Sequence, residues 1–156
     1  METQSAVTDF SDWTGRTQTQ HQRIDSLAVA ALAATLDREA APLNGAPLPP
    51  GWQWLFFNPV ARQSTLGEDG HPRRDLPGSF LPPIPLPRRM WAGSRIRYQA
   101  PLPVGTVATR ESRLLTIAWK EGRAGRMCFV TVEHTTSAAG HDCIVEEQDI
   151  VFREAS

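Results

Sequence analysis

GSFLPPIPLPRRMWAGSRIRYQAPLPVG, residues 78–105, is the stretch from which the fold can be read. Its first half holds Pro82, Pro83, Pro85 and Pro87. Each proline fixes φ and removes an amide donor, so this half is neither a helix nor a central strand but a rigid extended segment. Residues 91–100 then alternate. Ser94, Ile96 and Tyr98 point one way and Arg95, Arg97 and Gln99 the other, the period of a β-strand. Pro101, Pro103 and Gly105 end that strand in a turn.

Upstream, residues 1–8 are polar and expected to fray. Phe10 and Trp13 are spaced to anchor a short helix, and residues 17–24 read as a short exposed strand. Asp25 is a good N-cap, because its carboxylate can accept the free amides of a first helical turn. The helix is predicted over 26–38, with Leu27, Ala28, Ala31, Leu32, Thr35 and Leu36 on its inner side and Pro42 as its stop. Its many alanines allow close approach to a sheet. All thirteen prolines lie between 42 and 103. Residues 42–90 are therefore a wrap of loops and extended pieces, which Trp52, Trp54, Phe56 and Phe57 hold in a packed state, since disordered chain lacks such apolar mass.

After Gly105 the pattern is β. Residues 106–119 place Val107, Leu115, Ile117 and Trp119 on one parity. Residues 121–125 supply a hairpin turn. The strand 126–136 carries Cys128, Val130, Val132 and His134 on one face, residues 138–142 turn again, and a last strand runs 143–153. Taken with the strand at 91–100, this predicts a four-stranded antiparallel meander over 91–154. One alanine-rich helix and such a sheet make a single α+β domain.

The totals narrow the function. Sixteen Lys and Arg stand against 17 Asp and Glu, a net charge of −1, which offers no field for nucleic acid or an anionic membrane. No apolar run reaches membrane-spanning length, and the first residues lack the basic-then-apolar layout of a secretory signal. These features predict a soluble cytoplasmic protein. Cys128 and Cys143 are too few for a disulfide scaffold or a four-cysteine metal site. With His134 they are three candidate ligands without the short paired spacing of a metal centre, and small buried hydrophobes is the better account. Pro82 and Pro85 form a PxxP element, but Pro87 stands where such ligands want a basic residue, so the segment is read as a structural strut. No glycine-rich phosphate loop and no GxSxG elbow occurs.

Three ordered blocks carry a family resemblance: PLPPGWQWLFFNPVARQSTLGEDGHP at 47–72, LPPIPLPRRMWAGSRIRYQAPLPVGT at 81–106 and CIVEEQDIVFRE at 143–154. Together they resemble the amino-terminal half of the MaoC-like acyl-thioester hydratases, in the mesaconyl-CoA hydratase and hydroxyacyl-thioester dehydratase type 2 branch. The resemblance implies a single hot-dog fold, an antiparallel sheet wrapped around the helix, acting on acyl-CoA thioesters with no further cofactor. It also implies an aspartate followed about five residues later by a histidine, since hydration of an enoyl thioester needs one group to activate water and another to protonate the α-carbon. None of His21, His71, His134 and His141 has an aspartate five residues before it. Asp69 and His71 are too close together and sit in a glycine turn, where a solvated loop is the commoner explanation. No catalytic residue is therefore assigned. In the family the carboxyl-terminal hot dog carries the dyad, so a homo- or hetero-dimer with a second, dyad-bearing hot dog is expected, from another domain or subunit.

The expected substrate-binding residues are Trp54, Phe57, Arg88, Arg89 and Trp91. Trp54, Phe57 and Trp91, together with Trp52 and Phe56, are candidates for the wall of an acyl or pantetheine tunnel, though large aromatics are more often plain core. Arg73, Arg74, Arg88 and Arg89 match phosphate geometry, while Arg88 and Arg89 could equally pair with Glu146, Glu147 and Asp149. Two rivals stand beside the non-catalytic half: a homodimeric hydratase or thioesterase using Asp69 and His71 or the strand carboxylates, and an acyl-CoA-binding module without chemistry.

Overall fold

The computed structural model describes residues 9–123 and 125–155. The segment expected to fray, 1–8, and Ala124 of the expected 121–125 turn lie outside them. Five strands form one antiparallel sheet: β1 (Thr17–Arg23), β2 (Arg88–Tyr98), β3 (Val107–Gly122), β4 (Gly125–Ala138) and β5 (His141–Arg153), in the order β1-β3-β4-β5-β2. Among the described residues a single α-helix, α1 (Ser26–Thr35), follows β1. This is the hot-dog arrangement, α+β. Among the described residues no helix is long and apolar enough to cross a membrane.

The meander is shorter than expected. β3, β4 and β5 are sequential neighbours, but β2 pairs with β5 on the far edge rather than with β3. The cause lies in the connecting residues 99–106. Leu102 and Val104 are buried there, and the Leu48 amide donates to the Leu102 carbonyl, so this segment crosses the molecule as part of the core instead of closing a hairpin. β4 and β5, by contrast, meet at Ala139 and Gly140, both with positive φ, the two-residue turn whose twist matches the strands.

Asp25 caps α1 as expected, its Oδ1 accepting from the amides of Leu27 at 2.9 Å and Ala28 at 3.2 Å. The helix ends at Thr35, well before Pro42. Asp37 turns left-handed (φ 54), and the amides of Asp37 and Arg38 donate back to the carbonyls of Ala34 and Ala33, the Schellman closure that terminates a helix without proline. Its inner side is also rotated from expectation. Val29 and Ala33 are buried, with Ala28 and Leu32 beside them, whereas Leu27 is 77% exposed. A helix apolar all round leaves this choice to packing.

One face of the sheet is covered, at two ends by different material. At one end α1, Trp52, Phe56 and Phe57 pack with Ala108, Ala138 and Ile144. At the other, Phe10, Ile84 and Leu86 pack with Leu114, Cys128, Val130, Val132, Ile150 and Phe152. The polyproline stretch provides the second cover by alternation. Pro82, Ile84 and Leu86 are buried while Pro83, Pro85 and Pro87 are exposed. The Ile84 amide donates to Pro82 and the Leu86 amide to Ile84, each at 2.8 Å, two successive γ-turns. With Pro82 buried, the stretch is the strut it was read as. A bulge between Leu114 and Thr116 switches the inward parity of β3, which explains why Leu114 is fully buried and Val107 is 53% exposed against expectation. Leu114→Ala is expected to cost about 2–5 kcal/mol in chemical denaturation, because it empties a fully buried site between β3 and the wrap.

Candidate functional site

Between the two apolar ends the ladder registers align a polar row on the covered face. Gln18 faces Ser112, Ser112 faces His134, and His134 faces Glu146 across four adjacent strands. The next row holds Gln20 opposite Arg110 and Arg110 opposite Thr136. All of these side chains except Thr136 line a cavity of about 830 Å³, roofed by residues 54–61 and 72–81.

The row is closely bonded. His134 Nδ1 lies 2.7 Å from Ser112 Oγ and its Nε2 lies 3.2 Å from Gln148 Oε1. One neutral tautomer satisfies both contacts, with Nε2–H donating to Gln148 and Nδ1 accepting from the serine hydroxyl. Glu146, 6% exposed, accepts the Ser94 hydroxyl at 2.6 Å and the Trp54 indole N–H at 3.0 Å. Trp91 donates its indole N–H to Ser94 Oγ at 3.1 Å, so Trp54 reaches the carboxylate directly and Trp91 through the serine hydroxyl. Arg110 Nη2 donates to Gln20 Oε1 at 2.8 Å and to the Phe57 carbonyl at 2.9 Å, and its guanidinium lies 5.0 Å from the Phe57 ring.

Of the residues expected from sequence, Trp54, Phe57, Arg89 and Trp91 line this cavity. Arg88 does not: it is exposed on the opposite parity, paired with Arg153 in the ladder. Neither Arg88 nor Arg89 pairs with the acidic cluster of β5. Arg95 does so on the open face, 2.9 Å from Glu147 and 2.8 Å from Asp149, while Glu146 turns inward. Asp69 and His71 are 3.4 Å apart in the 67–72 loop and do not themselves line the cavity, although Asp69 acts electrostatically on Arg74 and Arg89, which do. Cys128 and Cys143 are free and buried, and burial pushes the Cys128 thiol up to about 11. No group of three or more side chains suited to a metal occurs among the described residues.

Residues 51–156 match the family of hydroxyacyl-thioester dehydratase type 2. The chain belongs to that family. Mesaconyl-C(4)-CoA hydratase of Chloroflexus aurantiacus is 48% identical over 147 residues, an alignment covering 94% of this chain and 51% of that protein. This family member thus spans about half the length of the curated relative it matches. Among solved structures, the ChsH1–ChsH2 complex of Mycobacterium tuberculosis superposes with a TM-score of 0.61 at 12% identity, over 90% of this chain and 84% of that one. A MaoC-like dehydratase of Rhodospirillum rubrum does so at 0.51 and 18%, over 92% and 94%. At such identities the likeness is one of fold.

Burial, then the charge of Arg110, holds the His134 imidazole below its ordinary value of 6.5, against the smaller opposing effects of Gln148 and Glu146. The unfolded chain therefore binds more protons as pH falls through that value, and stability is lost in the same direction. Urea midpoints measured from pH 7.5 down to 5.5 are expected to fall less steeply for His134→Gln than for the wild type.

Proposed function

We propose that this chain is the non-catalytic half of a MaoC-like enoyl-thioester hydratase or dehydratase, supplying one wall of the acyl-thioester pocket. The observation that carries this reading is the cavity itself: large, on the covered face, and walled by Trp54, Phe57 and Trp91 beside the basic residues Arg74 and Arg89. Aromatic walls suit an acyl or pantetheine chain, and guanidinium forks suit the phosphates of coenzyme A. The half-length match to a mesaconyl-thioester hydratase supports the substrate class and leaves room for a second hot dog.

That second domain would dock along β2. This eleven-residue strand is at the edge of the sheet, with Trp91 63% exposed and Tyr98 47% exposed, beside Trp54 at 53%. A long edge strand carrying exposed aromatics is an association hazard unless something covers it. A partner continuing the sheet there would bring its aspartate–histidine pair to the Trp91 side of the cavity.

A second reading, a self-sufficient homodimer, is favoured by the meeting of Glu146 and His134 in the same cavity. It ranks lower because both imidazole nitrogens and both carboxylate oxygens already have partners within the chain.

Hydration of crotonyl- and mesaconyl-CoA by the purified chain separates the two. Negligible turnover alone, restored by a dyad-bearing hot-dog partner and kept in Glu146→Gln, is the expected result. Robust turnover by the lone chain, abolished by Glu146→Gln, would establish the homodimer instead.

A further inference from the structure

The cavity is electrostatically unbalanced. Arg73, Arg74, Arg89 and Arg110 line it, against the single carboxylate of Glu146. Arg73 is neutralised by Asp75 at 2.6 Å. The other three have no carboxylate within ion-pair distance among the described residues. Arg74 donates only to the carbonyls of Ile84 and Leu86, at 3.3 and 3.4 Å, and lies over the Phe152 ring. Burial is the leading reason that Arg74, Arg89 and Arg110 all sit below the ordinary arginine value. Each is half-buried, with carboxylates acting only from beyond ion-pair distance (Asp69 and Asp75 on Arg74, Asp69 on Arg89, Glu146 on Arg110), so an anionic ligand in direct contact would offset the remaining desolvation cost.

The charge is divided between two places. Arg89 faces Phe152 in the β2–β5 ladder, and Arg74 is close enough to oppose its charge. Arg110 lies level with Ile144, about eight residues further along β5 and roughly 26 Å of strand away at the usual rise. The pair suits a multiply charged phosphate. The lone Arg110, with Glu146 moderating its field and neutral amides beside it, suits a single negative charge.

We propose that Arg110 receives a free carboxylate at the end of the acyl chain, so that the cavity selects monothioesters of dicarboxylic acids over neutral acyl thioesters. Only its Nη2 is engaged by protein, through Gln20 and Phe57, and this anchors the fork while Nη1 remains available to the ligand. The inference rests on the thioester reading above and adds the residue that sets acyl specificity.

Calorimetric titration of the chain with succinyl-CoA and butyryl-CoA tests it, since the two acyl groups differ only in a terminal carboxylate for methyl. Succinyl-CoA is expected to bind tighter by roughly tenfold, the scale of one charge-assisted contact. Arg110→Gln should erase the preference while butyryl-CoA binding stays within about twofold. Arg110→Lys keeps the charge without the fork; it should shrink the preference several-fold, and it provides the comparison if the glutamine variant does not fold. Equal binding of both ligands, or a preference unchanged in either variant, would overturn the role of Arg110 and leave the thioester reading standing. No binding of either thioester would overturn both.

Discussion

The molecule depends on how polar rows are kept inside the covered face of a sheet whose two ends are apolar. Ser112, His134 and Glu146 occupy positions where Leu114, Val132 and Ile144 would be the ordinary choices, and each is inward on its own strand. A buried polar group left without a partner costs more than a hydrogen bond returns, so the row survives only because its members satisfy one another. Ser112 and Gln148 hold the imidazole from two sides, while Ser94 and Trp54 hold the carboxylate. Register makes this possible. A slip of one residue in any ladder would send the row to the open face and bury Glu147 or Glu133 in its place.

The same constraint explains the long wrap. A helix of ten residues covers one end of the sheet only, and the remaining area must be covered by chain that contributes few amides needing partners. Proline meets that need, since it has no N–H to satisfy. Alternate Pro82, Ile84 and Leu86 cover the apolar rows near Phe152, and residues 54–61 and 72–81 bridge over the polar row without filling it. What remains between them is the cavity. Its walls are aromatic where the chain can bring tryptophan to a carboxylate and cationic where arginines emerge from the strands.

Much of the fold was legible because local chemistry specified it. Asp25 marks the start of the helix, the prolines mark the wrap, and the parity of Cys128, Val130, Val132 and His134 marks the covered face of β4. The failures share a cause: each required knowing which strand lies beside which. The place of β2 on β5 depends on the path of Leu102 and Val104 through the core. The inward parity of β3 depends on one unpaired residue at Leu115. Of the residues that line the cavity, residue type singles out Trp54, Phe57, Arg89 and Trp91 but not Arg110, Ser112 and Gln148. The available signal was a polar residue on an otherwise apolar parity, visible at His134 but hidden on β3 by the bulge.

The paired γ-turns at residues 82–86 bear on motion as well as on shape. Four prolines within six residues leave the free chain few alternatives to the folded path, so little disorder is lost when this side of the chamber forms. Such a wall is stiff, because the prolines leave it few other conformations. The other flank differs in kind: Trp91 and Trp54 are more than half exposed there, each tethered by an indole hydrogen bond rather than fixed by a ring in the backbone.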